Sequence, residues 1–233
     1  MKFKDIANYF LFHSSLLLLR VRLCIQSCLK LTHEYQPNPF KDDRAKDLRA
    51  CHDRYEAIKR SLEGLETPSS LDLGCNQGYF TFRLAEKGGY CIGIDNDRSE
   101  IMAAKAKAAI NRINNVAFSE LTLDAESIEN FPQTDVTVCL SIFHHWVRFY
   151  GQEQAEKMLF SLAKRTKKAL VFDTGQPEEE SKNWAKELEF MAPDSRTWIE
   201  EHLKGIGFTE IDYLGEFPTS VSPVPRHLFV AKR

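Results

Sequence analysis

Four groups of residues in this 233-residue chain have the types and spacing to do chemistry. The first is Leu71-Asp72-Leu73-Gly74-Cys75-Asn76-Gln77-Gly78, an apolar run that ends in a glycine-containing turn. Glycine lets a backbone turn sharply and approach a ligand without a Cβ. A helix opening beyond Gly78 would aim its first N–H groups at a carboxylate or phosphate. The second group is Gly93-Ile94-Asp95, where an acid ending the next apolar run can accept from both hydroxyls of a ribose. The third, Asp124-Ala125-Glu126, follows the third run and offers a carboxylate to an exocyclic amine such as that of adenine. The fourth comprises His144-His145, after Leu140-Ser141-Ile142-Phe143, and Arg226, after Ser222-Pro223-Val224-Pro225. A glycine-rich turn alone is weak evidence, since many nucleotide-binding folds have one. Asp72 and Asp124 singly read equally well as turn and cap residues, whereas acids at three successive strand ends form an ordered set.

Those positions must be held by alternating elements. Short apolar runs at Leu71–Leu73, Tyr90–Ile94, Val116–Phe118, Val136–Leu140 and Ala169–Phe172 predict buried strands. Between them, Tyr79–Lys87, Arg98–Asn111 and Gln152–Lys164 have helical patterning. The alternation predicts an α/β fold: a Rossmann-like, mostly parallel sheet with helices on both faces. After helical stretches at Trp184–Phe190 and Ser195–Lys204 come strands Phe208–Leu214 and His227–Ala231, the last antiparallel. Upstream, Lys41–Leu65 has helical periodicity with Ala45, Leu48, Tyr55, Ile58 and Leu62 on one face, and Tyr35–Asp43 reads as a linker. The expected division is therefore an N-terminal segment over 1–42 and one domain over 43–233.

Hydrophobic residues at 43% and charged residues at 27% describe a chain that folds rather than one that stays disordered. A net charge of −2 supplies no bulk drive toward nucleic acid, so nucleic acid is not an expected partner. Cys24, Cys28, Cys51, Cys75, Cys91 and Cys139 lack the spacing of a disulfide framework or a zinc site. We read them as free thiols of a cytoplasmic protein, with no metal expected. Met1–Leu31 is apolar but broken by His13, Ser14, Ser15, Arg20 and Arg22, which is too interrupted for a spanning helix. It reads either as a helix docked on the domain or as an amphipathic segment resting on the inner membrane face, with Lys2, Lys4, Arg20, Arg22 and Lys30 toward anionic lipid.

The set Asp72, Gly74, Gly78, Asp95 and Asp124 resembles the class I S-adenosylmethionine-dependent methyltransferases rather than dehydrogenases. Gly74 and Gly78 are four apart, unlike G-x-G-x-x-G, and Asp72 precedes the first glycine. Asn76 stands where that family usually has a middle glycine, and asparagine tolerates left-handed backbone. The resemblance implies S-adenosylmethionine as cofactor, held by Asp72, Gly74, Cys75, Asn76, Gly78, Tyr79, Asp95, Asn96, Asp124, Ala125 and Ser141.

The His-His and Ser-Pro-Val-Pro-Arg segments, with Leu71–Phe80, look like the methyltransferase domain of bacterial O-antigen chain-terminating enzymes, from about Asp43 to Lys232. Those enzymes phosphorylate the end of a polymannose chain and methylate that phosphate. The resemblance implies methyl transfer to a terminal phosphate on a surface glycan. No kinase segment follows before Arg233, so the phosphate is expected either from a separate kinase or as part of the acceptor already. A phosphate oxygen is already anionic and needs positioning more than a base, which suits the guanidinium groups of Arg226 and Arg54. We expect one of His144 and His145 to face the site, because neighbours on an extended segment point opposite ways, and assign that place to His144. Phe143 is expected in the core, and Tyr79 is open between core and sulfonium pocket. Three alternatives stand: a hydroxyl-directed O-methyltransferase with a histidine base, an RNA-end phosphate methyltransferase, and a non-enzymatic cofactor-binding scaffold in polysaccharide assembly.

Overall fold

The computed structural model describes residues 35–40 and 50–233. The expectations for Met1–Leu31 and for the first part of the Lys41–Leu65 helix lie outside these residues. In chain order the elements are α1 Cys51–Ser61, β1 Ser70–Leu73, α2 Tyr79–Ala85, β2 Cys91–Asp95, α3 Arg98–Asn111, β3 Val116–Glu120, α4 Ala125–Glu129 and β4 Thr134–Leu140. They continue with α5 Phe143–Tyr150, α6 Gln152–Arg165, β5 Thr166–Asp173, a 3-10 turn at Ala185–Met191, α7 Ser195–Gly205, β6 Glu210–Phe217 and β7 Arg226–Lys232.

One seven-stranded sheet runs in the order β3-β2-β1-β4-β5-β7-β6. The first five strands are mutually parallel, and β7 runs antiparallel to both neighbours. Period-2 alternation divides each central strand between two helical layers. Leu170, Phe172, Phe229 and Ala231 pack with α5, α6 and α7, through residues such as Phe143, Leu159 and Leu203. Ala169, Val171, Leu228 and Val230 face the other way, toward Tyr55 and Ile58 of α1, Leu62 just past it, and Phe80 and Leu84 of α2. Phe82, Phe118, Ile101 and Ala104 fill a smaller cluster under α3.

Local signals set the helix starts. Asp97 accepts from the Ser99 and Glu100 N–H groups to open α3, and Asp194 does the same for α7 through Arg196 and Thr197. The strand order reverses between β1 and β4, and that switch point opens a crevice at the carboxyl ends of both strands. Among the described residues no helix is long and apolar enough to cross a membrane. Cys75, Cys91 and Cys139 are buried free thiols, and Cys51 is buried too.

The linker reading of Tyr35–Asp43 needs correction over its described part. Phe40 packs edge-on against Phe82 at 4.9 Å, and Gln36 is buried, its side-chain oxygen accepting from the Tyr79 N–H at 3.1 Å. The proline and asparagine content that suggested a free connection here shapes a turn laid against α2.

Candidate active site

A cavity of about 720 Å³ opens at the switch point. One end is built by the turn after β1, where Gly74, Asn76 and Gly78 take φ of 66°, 49° and 85°. Left-handed backbone at three positions explains two glycines and an asparagine. The Asn76 N–H donates to Asp95 at 2.8 Å and the Asp97 N–H donates to its other oxygen at 2.9 Å, so β2 presents a fixed carboxylate. Each oxygen keeps a further lone pair for a ligand hydroxyl. Beneath the turn, Asp72 lines the cavity while almost wholly buried, and accepts from the Thr81 hydroxyl at 2.6 Å. Burial pushes its carboxyl up to about 7, against the lowering effect of the Thr81 hydrogen bonds and with a small rise from Asp95.

The other end is built by α1, the β4–α5 turn and α5. Arg54 lines the cavity and forms a buried ion pair with Asp173 at the end of β5. Its guanidinium lies over the Phe80 ring at 5.6 Å, and its Nε has no hydrogen-bond partner among the described residues. Asp173 also accepts from the Ser141 N–H at 2.6 Å. Arg226 reaches Ser141 Oγ at 3.0 Å and holds Glu179 through two bonds of 2.8 and 3.0 Å. Both arginines thus carry a buried carboxylate partner.

The histidine pair departs from expectation. It lies on the first turns of α5, not on an extended segment, so the two rings are separated by helical rotation. His145 lines the cavity. His144 is buried, its Nδ1 accepting from the Gly175 N–H at 2.9 Å, which puts the proton of the neutral ring on Nε2. The assignment of His144 to the site therefore passes to His145. Burial, and then the nearby positive charges of Arg226 and Arg148, hold the His145 imidazole below its ordinary value.

Of the residues expected at the cofactor, Asp72, Gly74, Asn76, Asp95, Asn96 and Ser141 line the cavity. Others stand outside its wall. Cys75 is buried with Phe82 and Phe118. Gly78 caps α2, and a Cβ there would meet the Phe118 ring at 2.7 Å. Tyr79 is core, under the Arg83 guanidinium. Asp124 is the N-cap of α4, its carboxylate accepting from the Ser127 N–H, and Ala125 begins that helix. The turn just before it, Leu121–Leu123, supplies the cavity wall instead. Arg226 does not line the cavity; it acts one residue behind it, on Ser141. Sequence reasoning missed Tyr35, Gln36, Trp146, Phe149 and Tyr150, all of which line the cavity. The aromatic run Trp146–Tyr150 carried a signal: Phe149 is 71% exposed on a helix whose other face is core, an unusual place for phenylalanine unless a ligand covers it.

A sheet in this order, with a ligand crevice at the β1–β4 reversal and an acid ending β2, defines a class I S-adenosylmethionine-dependent methyltransferase. Comparison with known proteins agrees: residues 71–170 match the family described as methyltransferase domain. It is 30% identical over 200 residues to the O-antigen chain terminator bifunctional methyltransferase/kinase WbdD of Escherichia coli, across 81% of this chain and 25% of that protein. A crystal structure of WbdD matches with a TM-score of 0.66 at 29% identity, over 84% of this chain and 44% of that one. The ubiquinone biosynthesis O-methyltransferase of Rickettsia bellii is 30% identical over 112 residues, 48% of this chain and 43% of the relative. Magnesium protoporphyrin IX methyltransferase from Synechocystis, solved with bound SAH, shares the fold at 19% identity with a TM-score of 0.60, over 84% of this chain and 90% of that one. The chain spans about a quarter of the length of its WbdD relatives.

The residues present fit the cofactor of this class. The cavity has the size of a small-molecule site, about 300–1,000 Å³. Among the described residues, buried Asn76 Oδ1 has no hydrogen-bond partner beside the Asp95 carboxylate, a polar atom left for a ligand to satisfy.

Proposed function

We propose that this protein transfers a methyl group from S-adenosylmethionine to an oxygen acceptor, and that the acceptor is a terminal phosphate on a bacterial surface glycan. The observation that carries the reading is the continuity of one cavity, from Gly74, Asn76 and Asp95 at one end to His145 and Arg54 at the other. The bound cofactor supplies a methyl group made electrophilic by its sulfonium. Asp95 would accept from the ribose hydroxyls of the bound cofactor, and the Leu121–Leu123 turn, which lines the same cavity, would help to hold it. Arg54, with Nε unspent, orients an anionic oxygen for in-line attack. No general base is required, since a phosphate oxygen is ionised at neutral pH. The likeness to WbdD, a methyltransferase/kinase named as an O-antigen chain terminator, over 81% of the chain supports a phosphorylated glycan acceptor.

A hydroxyl acceptor is the second reading. It is favoured by the pairing of both arginines with carboxylates and by the neutral state of His145, which can then act as base. The likeness to ubiquinone biosynthesis O-methyltransferases supports it over about half of the chain. Labelled-methyl transfer to matched phosphorylated and dephosphorylated oligomannose acceptors separates the two. Transfer confined to the phosphorylated acceptor supports the first reading, and transfer indifferent to phosphate removes it. A folded protein that binds S-adenosylhomocysteine yet methylates neither acceptor returns the scaffold alternative.

A further inference from the structure

Ser141 leaves β4 with φ 61°, a left-handed conformation that a residue with a Cβ adopts when its surroundings impose it. Two groups impose it here. Asp173 takes the Ser141 N–H at 2.6 Å and lies 3.2 Å from its Oγ, while Arg226 donates to the same Oγ at 3.0 Å. Arg226 has no freedom to move, because Glu179 grips its Nε and Nη2, and Glu179 is itself buried and accepts from the Gln176 N–H. Beyond Ser141 the chain enters α5 through Ile142. Its Cδ1 lies 2.3 Å from where a Cβ on Gly74 would stand, so this turn and the cofactor turn are in van der Waals contact.

We propose that Ser141 is a positioning residue through which Arg226, behind the cavity wall, sets the cofactor side of the site: the Arg226–Ser141–Asp173 clamp holds Ile142 against Gly74 and turns His145 into the cavity. The inference rests on the methyltransferase reading for its binding measurement. The contacts run from the start of β7 through Asp173 of β5 and Ser141 after β4 to Ile142 and the turn after β1, across strands that the sheet order sets side by side as β1-β4-β5-β7.

The test is a double-mutant cycle read by calorimetry with S-adenosylhomocysteine, which needs no acceptor. Ser141→Ala and Arg226→Gln should each weaken binding about tenfold, the loss expected of one charge-assisted hydrogen bond, Ser141→Ala at a nearly unchanged Tm and Arg226→Gln at a Tm lowered by the uncompensated Glu179, with binding read below both transitions. The double variant should be no weaker than either single one. Losses that multiply to about a hundredfold would make the two residues independent and overturn the proposal. So would wild-type affinity in folded Arg226→Gln. Should Arg226→Gln fail to fold, Ser141→Gly decides: it removes the hydroxyl while relieving the left-handed strain. Weakened binding then supports the clamp, and wild-type binding overturns it. If the wild-type protein gives no heat, the methyltransferase reading fails first. The His145 imidazole resonance then reads the clamp, shifted in Ser141→Ala if it exists and unmoved if it does not.

Discussion

Asp72 offers a test in which sign and size both follow from its place under the cofactor turn. Its carboxyl is almost wholly buried, with the Thr81 hydroxyl its side-chain donor, and burial raises it from 3.8 to about 7. A raised acid binds its proton more tightly in the folded state than in the unfolded one. Its contribution is fully present below about pH 4 and is lost as pH climbs through 7. At 1.36 kcal/mol per pH unit, the folded state loses on the order of 4 kcal/mol to Asp72 ionisation by pH 8, with between about 2 and 3 kcal/mol of that falling between pH 5 and pH 8. Asp72→Asn cannot ionise, and its amide oxygen can still accept from Thr81. Denaturant unfolding of both proteins at pH 5 and pH 8 should therefore show wild type losing about 2–3 kcal/mol relative to the variant across that interval. The variant should bind S-adenosylmethionine more weakly, since the cavity loses a carboxylate facing a cation. Wild-type binding near pH 7 should release protons, seen as a dependence of calorimetric heat on buffer. A stability difference that is constant from pH 5 to pH 8 would refute the assignment of a buried, protonated Asp72.

Gly93→Ala should destabilise by about 1–3 kcal/mol in thermal unfolding, since its Cβ would fall 2.8 Å from both a Phe118 ring carbon and the Thr81 hydroxyl and 2.9 Å from Cys75 Sγ. A neutral result would mean that the β2–α2 packing is looser than described. For a hydroxyl acceptor, the rate should stay flat from pH 8 down past 6.5 and fall only at lower pH, because the His145 imidazole is held below its ordinary value. A fall centred above 6.5 would assign the titration to another group. Inorganic phosphate, as a probe of the acceptor end, should bind the S-adenosylmethionine complex more tightly than the S-adenosylhomocysteine complex. Only the former brings a sulfonium charge to a site whose arginines are already paired. Equal affinities would remove electrostatic reception of a phosphate by the loaded site.

The sheet was legible because its signals are local: apolar runs of strand length, alternating with helical periods and punctuated by glycine. The end of the cavity beside β1 and β2 was legible for the same reason, since Asp72, Gly74, Asn76 and Asp95, which line it, sit at or near strand ends that those runs define. The acceptor end was not, because its geometry depends on rotation and on long-range pairing. Whether His144 or His145 faces the cavity follows from α5 starting at Phe143, a boundary set by the left-handed Ser141 rather than by any capping residue. Asp173 and Glu179 lie 119 and 47 positions from the arginines they hold, and no spacing rule pairs them. Gln36 sat in a stretch that composition marks as a connection, and its hydrogen bond to the Tyr79 N–H is a tertiary event.

That pairing changes what the arginines can mean. Read from sequence, two arginines at an acceptor site are two positive charges for a phosphate. In the fold, Arg54 faces Asp173 and Arg226 faces Glu179, so each guanidinium brings its own anion, and the cavity adds Asp95 and the titrating Asp72. Removing one member of such a buried pair costs about 3–5 kcal/mol, because the other is left uncompensated. The arginines are therefore structural commitments before they are ligands. What remains for an anion is direction rather than net charge: the Arg54 Nε donor and the neutral imidazole of His145. A site of that kind receives a negative oxygen well only when the cofactor lends its own positive charge, which makes the occupied cofactor turn a precondition of acceptor binding rather than an independent event.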